Sequence, residues 1–220
     1  MTQLHRRTFV LKSVASAAAI AVPSLGRASF TPTLGLSLPL SGPQELVAKE
    51  ILIGYQLAMH ATNNVLNLKV LDDESKAERT ADNIKKFGED AAVIAASGIV
   101  GTPHAQAAIP IAMKLGLPLV GIRSGSASLR QGQEGVFHLR SGFNEELDKI
   151  AAMCKGGGIE KMAIMFSSDT FGTEARDALT ASLKTLGIEI ISSVAVERNG
   201  DNVEVAAKAR ADEIKNVNVS

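Results

Sequence analysis

Tryptophan is absent from the 220 residues, and tyrosine and cysteine occur once each. With only seven phenylalanines besides, large rings cannot dominate a core, so Leu, Ile, Val and Ala must fill it. A lone cysteine, Cys154, excludes an internal disulfide, and folding has to rely on buried apolar surface. Cys154 is expected to be buried, and it lies too far from the N-terminal region to carry a lipid anchor there. Charge of one sign is also missing: 23 Lys and Arg stand against 23 Asp and Glu. No basic cluster is interleaved with aromatics, which argues against nucleic acid as a partner.

Catalytic signatures are missing as well. His5, His60, His104 and His138 are dispersed, and none pairs with Cys154 or a second His at metal-ligand spacing. No metal and no cofactor is expected, and His104 reads as a surface residue of its helix. Gly121-Ile122-Arg123-Ser124-Gly125 has the wrong spacing for a nucleophile elbow. Gly98-Ile99-Val100-Gly101 falls short of a dinucleotide fingerprint, and no phosphate loop ending in Gly-Lys-Ser/Thr occurs. The pattern disfavours an enzyme.

The apolar run Ser13–Val22 is too short to span a bilayer, which needs roughly 20 residues. It follows Arg6-Arg7-Thr8-Phe9-Val10-Leu11-Lys12 and precedes the small, turn-prone Pro23–Ser29. A basic stretch, an apolar stretch and a small-residue stretch in that order make residues 1–29 an export signal, cut shortly after Ala28. Arg6-Arg7-Thr8-Phe9 resembles the twin-arginine motif, with Val10 interrupting the strict pattern; a chance Arg pair in a general secretory signal is the other reading. A soluble, periplasmic protein is expected.

Past the signal, strand and helix patterns alternate. Strands are expected at 33–38, 67–71, 91–96, 118–122, 136–140, 161–166 and 188–196. Helices are expected at 45–63, 76–88, 102–115, 144–155, 169–186 and from Val203 onward. The wholly apolar run Ala91–Ala96 reads as a strand buried on both faces of a parallel sheet. The fold class is α/β, with parallel strands, right-handed crossovers and helices on both faces. Residues 30–140 form a first α/β unit and 141–220 a second, with Ser141-Gly142-Phe143 at the boundary.

Ligands of open α/β sheets bind at the carboxyl ends of the strands, and three loops there stand out. They are Leu40-Ser41-Gly42-Pro43, Gly98–Pro103 and Arg123-Ser124-Gly125-Ser126. In the second, Thr102 suits an N-cap and Pro103 the first helical position, so N–H groups and a hydroxyl could hold a carboxylate. Each loop taken alone is equally an ordinary cap or turn. Arg123 is expected to point to solvent.

Pro39-Leu40-Ser41-Gly42-Pro43, Asp72-Asp73, Gly101-Thr102 and Gly116–Val120 occur in an order that resembles the type I periplasmic binding proteins. So do Ser124-Gly125-Ser126 with Leu129-Arg130, Val136–Arg140 and Asp169-Thr170-Phe171-Gly172. The order and spacing are similar to the leucine/isoleucine/valine-binding family of ABC transporters, over about residues 33–210. The resemblance implies two Rossmann-like lobes hinged by crossing strands, with a small solute, an amino acid or related carboxylate, clamped between them. It implies delivery to an ABC permease in the inner membrane. It implies a carboxylate at Thr102 and at Ser124 or Ser126, with Gly101 and Gly125 beside them. Phe171 would cover the solute from the second lobe, Ser41 and Gly42 would edge the cleft, and Asp72 and Asp73 would be structural. Family members are longer, so the second lobe is expected to be incomplete, and residues 33–140 to fold better than 144–220. A ligand-sensing receptor or amide sensor of the same fold is the alternative, and an α/β enzyme a weaker one.

Overall fold

The structure is a computed structural model that describes residues 31–197 and, beyond them, Glu204, Ala207 and Lys208. Its centre is Thr33–Leu38 (β1), where leucines alternate with small residues and the two faces meet different helices. Leu36 and Leu38 are fully buried with Ile51, Leu52 and Tyr55 of Glu45–Ala61 (α1). On the other face a Cβ at Gly35 would lie 2.7 Å from the Phe87 ring, so only glycine lets Ala77–Gly88 (α2) approach this closely. The polar Ser37 beside it joins a buried network.

Five parallel strands make the first sheet: β1, Asn67–Asp72 (β2), Val93–Ser97 (β3), Leu119–Val120 (β4) and Val136–Phe137 (β5). Their order is β2-β1-β3-β4-β5. Parallel pairing demands crossovers, supplied by α1, α2 and Thr102–Leu115 (α3), with a 3-10 turn at Ala127–Leu129 before β5. Alanines of α3 (Ala105, Ala108, Ala112) pack with Ile84, Phe87, Leu119 and Ile122 into the main core. Phe143–Gly156 (α4), Lys161–Ser167 (β6), Thr170–Thr185 (α5) and Glu189–Val196 (β7) follow. β6 and β7 pair in parallel as a second sheet, and Ala151, Ile164, Leu183 and Ile188 bury themselves beneath α4 and α5. Both sheets lie in one compact unit that begins at Pro32. No helix of the described residues is long and apolar enough to cross a membrane.

Several expectations need correction. The strands expected at 118–122 and 136–140 shrink to two residues each. Pro118 has no N–H to give the ladder, Gly121 leaves the strand region at φ +70°, and the His138 ring turns to the Leu129 carbonyl, 2.9 Å away. β3 is not buried on both faces: Ile94 is 47% exposed. Cys154 is half-buried rather than buried. The export signal and the helix from Val203 lie outside the described residues, except that Glu204, Ala207 and Lys208 are helical.

Asp73, at the end of β2, is fully buried. Its carboxylate accepts hydrogen bonds from the hydroxyls of Ser37 and Thr80 and the N–H of Ser75, each at 3.1 Å. The Asn83 amide extends the network to Ser37 Oγ and the Asp72 carbonyl. Burial pushes the Asp73 carboxyl above its ordinary 3.8, against the opposing pull of His104 and the donated hydrogen bonds. A folded-state value above the unfolded one means the native state holds the proton longer, so stability falls as pH rises between the two.

Two predictions follow from this packing. Stability of the wild type relative to Asp73→Asn should fall as pH rises from about 3.8 through the raised value and then level off. Urea unfolding of both proteins from pH 3 to about 8 reads this, and a relative gain over that window would show that the donors outweigh burial. At Gly172, a Cβ would lie 1.9 Å from the Ser167 carbonyl oxygen, so α5 cannot seat on β6 with a side chain there. Gly172→Ala should cost about 1–3 kcal/mol in the same assay, the usual range for overpacking; an unchanged midpoint would contradict the close approach.

Candidate functional site

Strand order reverses at β1, with β2 on one side and β3 on the other. The chain leaves β1 for α1 on one face and leaves β3 for α3 on the opposite face. A crevice is forced open between those departures. It holds a cleft of about 330 Å³.

One wall comes from the first sheet's strand ends: Gln44 and Val47 at α1, then Val100, Gly101 and Thr102 after β3. Gly101 is the N-cap of α3, at φ +108°, a backbone region that glycine occupies without penalty. Thr102 is therefore the first helical residue rather than the cap, one position later than expected. Freed from capping, its fully buried hydroxyl meets that of Ser124 at 2.7 Å. Ser124 Oγ also accepts the Ser126 N–H at 3.2 Å. Two hydroxyls carry two protons and share one hydrogen bond, so one O–H is left over from the pair's own bond whichever way it is oriented. The first turn of α3 adds N–H groups without intrahelical acceptors.

Rings form the opposite wall. Phe143 opens α4 and Phe171 lies in the first turn of α5; their centroids are 5.4 Å apart at an interplanar angle of 83°. Gly125 sets Phe143: a Cβ there would fall 2.7 Å from its ring, and the Phe143 N–H donates to the Gly125 carbonyl at 2.7 Å. The Arg140 guanidinium lies over the same ring, 5.5 Å from its centroid, and bonds the Glu146 carboxylate. That arginine and the Ser141 hydroxyl hold the Glu146 carboxyl below its ordinary value. Asp169 caps α5, accepting the Gly172 N–H at 3.0 Å.

Of the residues singled out in the sequence, Gly101, Thr102, Ser124 and Phe171 line the cleft. Gly125 acts behind it, through Phe143. Ser126 is buried and turns away: its hydroxyl donates to the Glu174 carboxylate of α5 and contacts Ser128 Oγ at 2.9 Å. Ser41 and Gly42 are not among the lining residues. Ser41 instead donates its hydroxyl and N–H to Asp72, at 2.7 and 3.3 Å. Partial burial works against the Asp72 carboxylate, but these donors and the Glu74 N–H outweigh it and hold its pKa below 3.8. His104 is buried, not on the surface, and neither ring nitrogen has a hydrogen-bond partner among the described residues. Arg123 is exposed, as expected, yet it also lines the cleft.

Phe143, Arg140, Gln44 and Val47 were missed. A ring directly after the expected boundary glycine was the available signal for Phe143. A larger hollow, about 510 Å³, lies between α4 and α5. It is remote from the strand ends, and its polar residues Asp148 and Ser182 already bond each other, so the smaller cleft is the candidate. Among the described residues, no three His, Cys, Asp or Glu side chains gather where they could hold a metal ion.

Comparison with known proteins matches this architecture. No curated protein matches the chain. Among solved structures, a substrate-binding periplasmic protein from Ralstonia solanacearum is similar, at 26% identity and TM-score 0.74, over 80% of this chain and 52% of its own. A leucine-binding protein from Thermotoga maritima has 16% identity and TM-score 0.75, over 83% and 54%. A solute-binding protein of an ABC transporter from R. palustris, in complex with 4-hydroxybenzoate, has 17% identity and TM-score 0.76, over 83% and 51%. The chain thus spans about half the length of these structures, and the two less similar ones show the fold alone. The periplasmic binding protein model matches residues 31–218, nearly all of the chain past the expected signal, and the chain belongs to that family.

Proposed function

We propose that this chain is the solute-binding component of an ABC uptake system, exported to the periplasm and handing its solute to an inner-membrane permease. The solute is a small carboxylate, an amino acid or a related acid, held in the cleft between β-strand ends and the two rings. One observation carries the reading: the buried Thr102–Ser124 hydroxyl pair at the N-terminus of α3. A dipole end, free N–H groups and a spare O–H proton at one point suit a carboxylate. Gly101 allows close approach of the ligand to backbone there, and Ser126 fixes Ser124 from behind.

The rings complete the site. Residues 30–140 act as one lobe and 141–220 as the other, with Phe143 and Phe171 brought from the second lobe over the solute's apolar part. Ser41 and Gly42 stand at the edge of the cleft rather than in its lining, with Ser41 anchored on Asp72. The relatives support this range of ligands without choosing among them. One is a leucine-binding protein and another holds 4-hydroxybenzoate, and both molecules carry a carboxylate beside an apolar body.

Calorimetry of the full chain with L-leucine and with 4-hydroxybenzoate tests the reading, and heat from neither would count against it. Thr102→Ala should weaken whichever probe binds roughly ten- to hundredfold, the usual loss for a hydrogen bond to a charged group. Unchanged affinity would leave Thr102 as a packing residue of α3. Phe171→Ala should weaken binding while the melting temperature stays close to wild type, since the ring is 38% exposed. Loss of the folded state instead would place Phe171 in the core.

A further inference from the structure

Among the described residues, the charges lining the cleft are of one sign. Arg123 and Arg140 line it, and no Asp or Glu does. The two arginines are not equivalent. Arg140 is committed: it bonds Glu146, donates to the Arg123 carbonyl at 3.1 Å and lies over Phe143. Arg123 lies past the end of β4 (Leu119–Val120) in its carboxyl-end loop, next to Ser124, and its guanidinium makes no hydrogen bond or ion pair with any described residue. Both arginines line the same cleft, and Glu146 compensates only one of them.

A guanidinium remains charged at every working pH, and its fork of N–H donors matches a carboxylate. A monocarboxylate seated at Thr102 and Ser124 would leave this charge unmatched. A zwitterionic amino acid reaching the same rim would bring an ammonium towards this uncompensated like charge. A ligand with carboxylates at both ends of an apolar spacer satisfies every group: one end at the hydroxyl pair, the spacer against Val47, Val100 and Phe171, the other end at Arg123.

Resting on the reading of the cleft given above, we propose that its ligand is a small dicarboxylate with an apolar spacer and that Arg123 selects it. The second carboxylate meets Arg123 at the cleft rim. Arg140 holds the backbone of that residue in place and adds to the local positive field.

Adipate and hexanoate, acids of equal chain length with and without the second carboxylate, separate the possibilities by calorimetry on the full chain at low salt. Wild type should bind adipate about two- to fivefold tighter, the worth of an ion pair at an exposed arginine. Arg123→Gln should abolish most of that preference while leaving hexanoate within about threefold, and Arg123→Lys should restore part of it. Thr102→Ala should weaken both acids alike. Equal affinity of wild type for the two acids, or equal weakening of both by Arg123→Gln, overturns the role of Arg123; a hexanoate affinity that still depends on Thr102 would then leave the carboxylate seat standing. If neither acid binds, or Thr102→Ala changes nothing, the cleft reading fails and this inference with it.

Discussion

Parallel pairing on both edges of β1 is the constraint from which the rest follows. A strand hydrogen-bonded in parallel to β2 and β3 needs a crossover to reach each of them, and helices on opposite faces supply it. The loops after β1 and β3 then diverge, and no side chain chosen at either loop could close the gap. Helix α3 must start at this gap because β3 ends there. Its first-turn N–H groups and its neighbour Ser124 consequently face the same opening. The polar character of the cleft is thus a result of topology, and its selectivity a result of which residues stand at a handful of strand ends.

Holding β1 at the centre has a cost that the polar cluster beneath it absorbs. Gly35 gives up a side chain so that Phe87 can approach, and Ser37 leaves a polar group on the same buried face. Asp73 satisfies that serine together with Thr80 and the Ser75 N–H, and a buried carboxylate needs several donors to be tolerated. The same residue continues the backbone ladder, its N–H donating to the Leu38 carbonyl at 3.0 Å. His104 in the first turn of α3 is buried with its ring nitrogens unbonded among the described residues, so it adds no donor to this cluster.

Legibility in the sequence followed the range of the interactions involved. β1 at both ends and α3 at its C-terminal end could be bounded to the residue, because Pro32, Pro39 and Gly116 punctuate them and apolar spacing fills them. Thr102 and Ser124 were visible as hydroxyls at strand ends, yet their mutual bond was not, since it joins residues 22 positions apart. The cap was misplaced by one residue because threonine and glycine are comparable caps by type, and the backbone at φ +108°, which only glycine accepts easily, decides between them. Strand ends at β4 and β5 were overextended because apolar content says nothing about where a ladder partner stops. Ser41 looked like a cleft residue on resemblance, and a local carboxylate, Asp72, competes for its hydroxyl. His104 and Phe143 were undervalued for the same reason: what surrounds them comes from other elements, and a pattern read along the chain cannot reach those.

The two walls of the cleft are registered to each other through a single dipeptide. Ser124 carries the hydroxyl that meets Thr102, and Gly125 is the surface on which Phe143 rests. Phe171 stands edge-on to Phe143, so its distance from the hydroxyl pair is set by that stack. One residue further, Ser126 reaches Glu174 on α5, joining the β4 loop to the helix that carries Phe171. Any movement of the rings away from the strand ends must therefore break the Gly125–Phe143 contact and the Ser126–Glu174 bond together. A solute that touches both walls interacts fully only when these contacts are made, and a ligand shifts such an equilibrium by no more than its differential affinity for the two arrangements. The hydroxyl pair lies wholly on the strand-end side, Thr102 and Ser124 bonding each other without help from the rings. On the reading proposed above, the rings therefore supply the part of the affinity that depends on both walls meeting, and the hydroxyl pair the part that does not.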